Sequence, residues 1–231
     1  MQIAIDGPAS AGKSTVAKKL AHNLNYMYLD TGAMYRGVTL EFLKDDIDLT
    51  NEELISQKLK NINLTFETVD NQQHILINGV DKGQEIRSVA VTNLVSDVAS
   101  IKQVREFLVA EQRRIAGKHN VVMDGRDIGT TVLPNAEVKV FMLASVEERA
   151  QRRLLDYQRS GEEISLSQIE KDIKSRDYKD QHRAISPLVK ATDAVELDTT
   201  SLSIDEVVEK LKKIIEKKVK KASHLLVFTL K

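Results

Sequence analysis

Cysteine is absent from this 231-residue chain, and so is any long apolar run. Without cysteine there can be no disulfide framework and no thiolate metal site, a usage that fits a reducing compartment. No window approaches the length of a membrane span, and Met1 to Asp6 run directly into an apolar strand without a basic leader. We therefore expect a cytoplasmic protein that is neither exported nor inserted in a membrane.

Net charge is also absent. Lysine plus arginine and aspartate plus glutamate number 34 each, so no global field attracts nucleic acid or a membrane surface. The five histidines have no metal-ligand spacing, and no Ser/His/Asp arrangement is suggested, which disfavours zinc and hydrolytic chemistry. We expect a monomer with small-molecule partners, built as one large domain with inserted pieces.

Short apolar runs, separated by segments of helix length, are typical of buried parallel strands. They lie at Gln2 to Ile5, Tyr26 to Leu29, Val121 to Met123, Val138 to Leu143 and Ala194 to Leu197. This alternation predicts an α/β fold with a parallel sheet flanked by helices.

One stretch departs from that pattern. Ile62, Leu64 and Phe66 alternate with polar residues, and two further runs meet across Asn78-Gly79, a dipeptide typical of tight hairpins. We predict a small antiparallel β insert at about 62–83. Helical segments at Val89 to Ser100 and Gln103 to Ala116 then lead back to the parallel sheet.

Helix starts and the chain end give weaker signals. Three predicted capping boxes pair a hydroxyl with a carboxylate three residues later: Thr50 with Glu53, Ser145 with Glu148, and Ser203 with Glu206. The last predicted helix covers about Ile204 to Lys220, with a lysine-rich face that we interpret as solvated. Residues 222–231 fit no predicted element.

A phosphate-binding motif follows the first strand. Gly7-Pro8-Ala9-Ser10-Ala11-Gly12-Lys13-Ser14-Thr15 matches the pattern G-x-x-x-x-G-K-[ST] between a predicted strand and a predicted helix. Backbone amides and the positive end of the helix attract a triphosphate there, and Lys13 can reach its outer phosphates. The motif predicts ATP binding by residues 7–15 and a sheet of the P-loop NTPase type.

Two residues are candidate magnesium ligands. The Ser14 hydroxyl follows the motif lysine, and Asp124 ends the apolar strand at Val121 to Met123, where the open end of a parallel sheet meets its ligand. We expect Asp124 to hold Mg²⁺ directly or through water. A strand-terminal aspartate by itself is more often a turn residue.

Arginines cluster around the predicted sheet edge and beyond it. Arg36 and Arg126 each follow a strand, and Arg149, Arg152 and Arg153 share one face of a predicted helix. A kinase needs such positive charge to balance two phosphorylated ligands, so we predict an arginine-rich lid at 146–183. The alternative is a solvated helix face whose arginines pair with Glu147 and Glu148.

At this point the sequence resembles the bacterial cytidylate kinases, a family of nucleoside monophosphate kinases, from residue 2 to about 220. The most specific matching segments are Ile5-Asp6-Gly7-Pro8, Leu29-Asp30-Thr31-Gly32-Ala33-Met34-Tyr35-Arg36, Asp124-Gly125-Arg126-Asp127-Ile128-Gly129-Thr130, and Arg176-Asp177 with His182-Arg183-Ala184. The predicted insert resembles the enlarged monophosphate-binding region of that family.

The resemblance implies ATP-dependent phosphorylation of CMP and dCMP with Mg²⁺, and it implies residue roles. The phosphate of CMP would be held by Thr31, Arg36 and Arg126; its sugar would lie near Tyr35, Arg176 and Asp180; cytosine would be read by Ser96, Arg105, Asp127 and Arg183. Lys13, Arg126, Arg149 and Arg153 would act in catalysis. Thr31 stands where some relatives have serine, which keeps the hydroxyl.

The resemblance also implies how the chain is divided. Residues 1–30 and 117–221 would form the kinase core, 31–116 the monophosphate-binding region, and 146–183 the lid, while 222–231 have no family counterpart. Three alternatives stay open: a kinase on this scaffold with another acceptor, a nucleotide-dependent switch that transfers no phosphate, and a structural or nucleic-acid-binding protein. Measuring turnover with different acceptors distinguishes the first two alternatives from CMP phosphorylation. Salt-sensitive nucleic-acid binding would support the third.

Overall fold

The structure, a computed structural model, describes residues 1–69 and 72–229 of the chain. In chain order its strands and helices are β1 (Gln2–Asp6), α1 (Lys13–Leu24), β2 (Met27–Asp30), α2 (Thr31–Lys44), α3 (Glu52–Lys60), β3 (Leu64–Val69), β4 (Gln72–Ile77), β5 (Val80–Asp81), α4 (Val89–Val98), α5 (Lys102–Ala116), β6 (Val121–Gly125), β7 (Val138–Leu143), α6 (Val146–Ser160), α7 (Leu166–His182), β8 (Val195–Asp198) and α8 (Ile204–Thr229). A 3₁₀ turn at Glu85–Arg87 and a π turn at Ile128–Val132 complete the set.

The main sheet has five strands in the order β2-β6-β1-β7-β8. It confirms the predicted parallel sheet: β1 runs parallel to both β6 and β7, so Ile5 lies opposite Asp124 on one side and Val140 on the other. The central strands are apolar because helices cover the sheet. Apolar residues of α1 and α8, among them Leu20 and Leu211, belong to the same buried cluster as the strands.

The chain divides into two compact units, which we describe separately. The first unit comprises residues 1–29, 119–182 and 186–231 and contains the five-stranded sheet; the second comprises residues 30–118 and 183–185. The division into core, monophosphate-binding region and lid inferred from the sequence stays a prediction.

The second unit contains the predicted antiparallel insert, which the structure confirms as a three-stranded sheet in the order β3-β4-β5. Its hairpin turns at Asn78 and Gly79, whose φ angles are 51° and 80°, as a type I′ turn requires. The sheet packs closely on α2 at Gly37, where an added Cβ would lie 3.2 Å from Ile77 Cδ1.

One of the three predicted capping boxes is confirmed: Ser203 and Glu206 bond each other reciprocally. At Ser145 only half of the box forms, because Ser145 Oγ accepts from Glu148 N while Ser145 N donates to Thr200 Oγ1. The prediction at Thr50 was wrong by one residue. Asn51 caps α3 instead, accepting from Leu54 N at 3.1 Å, while the Thr50 hydroxyl donates to Asp48.

The end of the chain also differs from the sequence-based expectation. Helix α8 does not stop near Lys220 but continues to Thr229; residues 230 and 231 lie outside the described residues. No proline or glycine follows Lys220 to terminate the helix, and alanine and leucine favour its continuation. Within the described ranges, no helix is long and apolar enough to span a membrane.

Candidate active site

The loop of residues 7–12 connects β1 to α1. Its first residue, Gly7, has φ +152°, and a Cβ there would lie 2.2 Å from the carbonyl oxygen of Met142 on β7, so no other residue fits. Lys13 opens α1 and is 5% exposed, and its Nζ donates to the Pro8 carbonyl oxygen at 2.6 Å. The motif lysine is therefore folded back over its own loop.

The charge on Lys13 is held in an unfavourable position. Burial lowers the pKa of Lys13 well below its usual value and nearby Arg126 lowers it further, while Asp124, Asp180 and Asp6 oppose the change. A buried ammonium that lacks a full counter-charge is stabilised when an anion arrives. Its surroundings thus suit a phosphate ligand.

Both candidate magnesium ligands lie together in the first unit. Asp124, 4% exposed at the end of β6, accepts a hydrogen bond from Ser14 Oγ at 2.8 Å through one oxygen. Its other oxygen accepts from the Tyr28 hydroxyl at 2.9 Å. Tyr28 was not identified from the sequence, because its role depends on β2 lying next to β6, which no local pattern shows.

Two arginines of the first unit differ in their partners. Arg126 Nε donates to Asp180 Oδ2 at 2.8 Å, and although burial opposes it, Asp180 raises the pKa of Arg126. Arg176 Nε is buried and has no hydrogen-bond partner among the described residues. Burial and the charge of Arg126 lower the pKa of Arg176 to about 10, so it remains protonated at neutral pH. A buried cation of this kind favours an anionic ligand.

Helix α6 is not simply a solvated face. Arg149 is 4% exposed; its guanidinium donates to the carbonyl oxygens of Ala144 at 3.0 Å and Ala9 at 3.1 Å and pairs with Asp177 at 2.7 Å. Ala9 lies in the phosphate-binding loop. Arg149 therefore connects this loop to α7, a contact that spacing along α6 does not reveal.

The other two arginines of α6 have different surroundings. Arg152 pairs with Glu148, as the solvated-face alternative expected, but it also contacts the carbonyl oxygens of Ala11 at 3.4 Å and Thr199 at 2.9 Å. Arg153 lies over the ring of Tyr157 at 4.7 Å. Arg152 was absent from the predicted site, and its loop contact adds it to the residues around the phosphate-binding loop.

The second unit places several predicted acceptor residues on α2, α4 and α5. Arg36 Nη1 donates to Thr92 Oγ1 at 2.9 Å, and the Arg105 guanidinium lies 5.7 Å from the centre of the Tyr35 ring. Thr31 is buried at the start of α2, where Asp30 accepts from Ala33 N. Ser96 follows Thr92 by one turn of α4, and Arg183 follows the end of α7.

Sequence analysis missed Thr92 in this group. The only hint in the sequence is indirect: Thr92 lies four residues before Ser96, a predicted site residue, and therefore on the same face of the helix. Asp127, at 4% exposed, lies between Arg126 and the π turn in the first unit, where Asp180 also lies on α7.

Comparison with known proteins decides the family. The family model described as cytidylate kinase matches residues 3–217. The chain belongs to the cytidylate kinase family. A cytidylate kinase of Lactobacillus johnsonii is 56% identical over 220 residues, covering 95% of this chain and 96% of the relative. A cytidylate kinase of Bacillus cereus strain B4264 is 54% identical over 215 residues, covering 93% and 96%.

The resemblance drawn from the motifs is thus confirmed at the level of the cytidylate kinase family. An uncharacterized protein of Eubacterium ventriosum has a solved structure with a TM-score of 0.51 at 14% identity, covering 94% of this chain and 98% of that one, and it shares the fold. The roles of individual residues in this cytidylate kinase chain stay predictions.

Proposed function

We propose that this protein transfers the terminal phosphoryl group of ATP to CMP, and to dCMP, giving ADP and CDP or dCDP. The main support is the cytidylate kinase match over residues 3–217, which includes a phosphate-binding loop with a buried Lys13. Small-molecule substrates account for the clustered arginines without nucleic acid or a membrane, and we expect the protein to act as a monomer.

In the proposed reaction an ionised phosphate oxygen of CMP attacks the terminal phosphorus of ATP. A new P–O bond forms as the bond from that phosphorus to the bridging oxygen breaks, and ADP leaves. Because the attacking oxygen is already ionised, no general base is needed, and alignment and charge neutralisation supply the rate. Lys13, Arg126, Arg149 and Arg153 are the proposed catalytic residues.

The donor atoms around the loop fit Mg²⁺. The Ser14 hydroxyl and the Asp124 carboxylate are hard oxygen ligands that lie within hydrogen-bond distance of each other. Mg²⁺ commonly keeps several waters and substrate phosphate oxygens as ligands beside one or two protein oxygens. When bound, Mg²⁺ would neutralise charge on the phosphates of ATP.

For the acceptor, we propose the roles implied by the family. Arg36, Arg126 and Thr31 would bind the CMP phosphate, and Tyr35, Arg176 and Asp180 would contribute to binding its sugar. The buried Nε of Arg176 has no partner among the described residues. Cytosine is read by Asp127, which accepts from its amino group, together with Ser96, Arg105 and Arg183. Uracil has a carbonyl at that position and would be rejected by the carboxylate.

The direct test is ADP formation from ATP and magnesium with CMP, dCMP, UMP, AMP or no acceptor. The proposal expects turnover with CMP and dCMP well above the others. Strong turnover with another acceptor would still support a kinase, but it would reject the proposed roles of the cytosine-reading residues. ATP consumption or binding that ignores every acceptor would instead support a nucleotide-dependent switch.

Lys13→Ala gives the matching mutational test. The substitution removes the only side chain of the motif that can reach the outer phosphates, so we expect turnover to fall by roughly 10³-fold while the fold persists. Lys18→Ala, an exposed lysine of the same helix, is the control and should behave as wild type. Turnover near the wild-type rate in the folded Lys13→Ala variant would reject the assignment.

A further inference from the structure

Asp6 is a buried carboxylate to which the proposed reaction gives no role. It is the last residue of β1, immediately before Gly7, and is 5% exposed. Its Oδ1 accepts a hydrogen bond from Ile128 N and its Oδ2 accepts one from Gly129 N, each at 2.8 Å. Two consecutive backbone amides thus bind the two oxygens of one carboxylate, as they would bind an anion.

These two amides open the π turn Ile128–Val132, which directly follows Arg126 and Asp127. The amide of Ile128 belongs to the same peptide plane as the carbonyl of Asp127, so fixing one fixes the other. The Asp6 carboxylate therefore links the end of β1 to the backbone that directly follows the Arg126–Asp127 segment. All of these residues belong to the first unit.

The phosphate-binding loop is equally constrained on the other side of Asp6. Gly7 lies against the Met142 carbonyl so closely that no side chain fits there. The backbone on both sides of the carboxylate is thus held in place. With both oxygens engaged by backbone amides, Asp6 is poorly placed to take a proton from a substrate.

We propose that Asp6 is a positioning residue, whose carboxylate holds the Arg126–Asp127 segment in fixed register with the start of the phosphate-binding loop. The inference rests on the proposed function, since it assigns Asp6 to the alignment of acceptor and donor. Small misalignments of reacting groups cost up to about 100-fold in rate, so a carboxylate that touches neither substrate can still affect the rate of the reaction.

Asp6→Asn tests the proposal with little change in volume. An amide side chain offers one acceptor oxygen and turns an NH₂ group toward a backbone N–H, so one of the two bonds is lost. We expect the KM for CMP to rise roughly tenfold and the preference for CMP over UMP to fall at least roughly threefold. A purely structural loss would reduce the amount of active enzyme and leave KM and the preference unchanged.

Two further variants complete the experiment. Glu41→Gln is the matched control, because Glu41 is a buried carboxylate of the second unit bound to Lys44 and Lys58, and its loss should leave both readouts unchanged. Gly129→Ala keeps the carboxylate but places a Cβ 3.3 Å from Asp6 Oδ2 and 3.1 Å from Lys139 Cδ, and it should shift both readouts in the same direction as Asp6→Asn.

The outcomes separate cleanly. The positioning role is overturned if KM for CMP and the preference for CMP over UMP both stay within about twofold of wild type in Asp6→Asn and Gly129→Ala. If Asp6→Asn does not fold, the same two measurements on Gly129→Ala decide whether Asp6 has this role. If the wild-type enzyme itself shows no CMP-dependent turnover, the proposed function falls, and this inference falls with it. A shift of either readout, absent in Glu41→Gln, supports the role.

Discussion

At the residue scale, the first unit concentrates buried charges of both signs. Burial opposes the charges of Lys13, Arg126 and Arg176, while the nearby Asp180 carboxylate raises the pKa of all three. Arg126 has a carboxylate partner, whereas Arg176 Nε has none among the described residues. This partial compensation favours ligands that bring negative charge, as two phosphorylated nucleotides do.

Asp127→Ala should separate recognition of the base from catalysis. Removing the carboxylate deletes the proposed acceptor for the cytosine amino group, so kcat/KM for CMP should fall roughly 10- to 100-fold more than that for UMP. The measurement is kcat/KM for both acceptors. Asp156→Ala, an exposed position on α6, is the control. An unchanged ratio in Asp127→Ala would mean that cytosine is read by other residues.

Asp6 should also make stability depend on pH. Burial is the main cause that raises the pKa of Asp6 from 3.8 to about 6, against the two backbone hydrogen bonds that lower it. A carboxyl group with a raised folded-state pKa destabilises the protein as it ionises. Its penalty is absent below about pH 4 and fully present above about pH 6, amounting to roughly 3 kcal/mol.

Urea unfolding of wild type and Asp6→Asn between pH 4 and 7.5 measures this effect. The free energy of unfolding of wild type, relative to that of the variant, should decrease as pH rises from 4 to 6. The lost hydrogen bond shifts the variant by a constant amount and does not alter the slope. Parallel pH profiles would contradict the raised pKa.

Several residues of the candidate site carry a local signal in the sequence and others do not, for a physical reason. Lys13, Ser14 and Asp124 carry local signals: a loop motif and the end of an apolar strand. Tyr28 and Thr92 have no such signal, since their roles come from side-chain partners distant in the sequence. Pairings of this kind depend on which elements become neighbours, and spacing along the chain does not encode that.

At the element scale, α7 is tied to the rest of the first unit by ion pairs. Asp177 pairs with Arg149 of α6, and Asp180 pairs with Arg126 after β6. Because Arg149 also binds the Ala9 carbonyl, the position of α7 is linked to that of the phosphate-binding loop. Arg176 is carried by the same helix, so these pairs also orient a proposed acceptor-binding residue.

Asp177→Asn should weaken this link. The substitution leaves the buried Arg149 guanidinium without its counter-charge, which costs about 3 kcal/mol for buried pairs, and turnover should fall as the loop loses support. Chemical denaturation and ADP formation are the two measurements. Asp172→Asn, an exposed residue of the same helix, should change neither. Unaltered stability of Asp177→Asn would show that the pair contributes no net stability.

Elements with strong local signals were predicted well, and those with competing signals were not. Alternation and Asn78-Gly79 were sufficient for the β3–β5 sheet, because a type I′ turn favours this dipeptide. At α3, Thr50 and Asn51 compete for the cap, and Asp48 engages the Thr50 hydroxyl. Such competition is decided by side-chain contacts that the capping pattern alone does not describe.

At the scale of the whole molecule, the family match and the helical end of the chain do not coincide. The match ends at residue 217, whereas α8 continues to Thr229. Up to Lys220, the buried residues of α8 are Val207, Val208, Leu211 and Ile215. These core residues therefore lie in the part of α8 that is shared with the family.

A chain that ends at Lys220 should keep its activity. It retains every buried residue of α8 named above, so we expect turnover within about twofold of wild type and a similar free energy of unfolding. A chain that ends at Lys210 is the contrasting control. It loses Leu211 and Ile215 from the core and should be destabilised by several kcal/mol, about 2–5 for each large residue lost. Inactivity of the chain that ends at Lys220 would assign a role to residues 221–231.

The sheet as a whole was predictable in type but not in order. Alternating strands and helices indicate parallel strands, yet the order β2-β6-β1-β7-β8 places β6 between the first two strands of the sequence. Pairing of β1 with β6 joins segments more than 100 residues apart, Gln2 with Val121 for example. Long-range pairing is fixed by packing of the whole domain rather than by any one segment.

The contacts of α6 with the phosphate-binding loop bear on how this loop can be transferred between proteins. Arg149 and Arg152 bind the carbonyl oxygens of Ala9 and Ala11 from 140 and 141 residues away in the sequence. A graft of residues 7–15 into another scaffold would carry the nine-residue motif but leave behind the guanidinium groups that hold its carbonyls. The portable unit for protein engineering is therefore the loop together with the face of α6 that supports it.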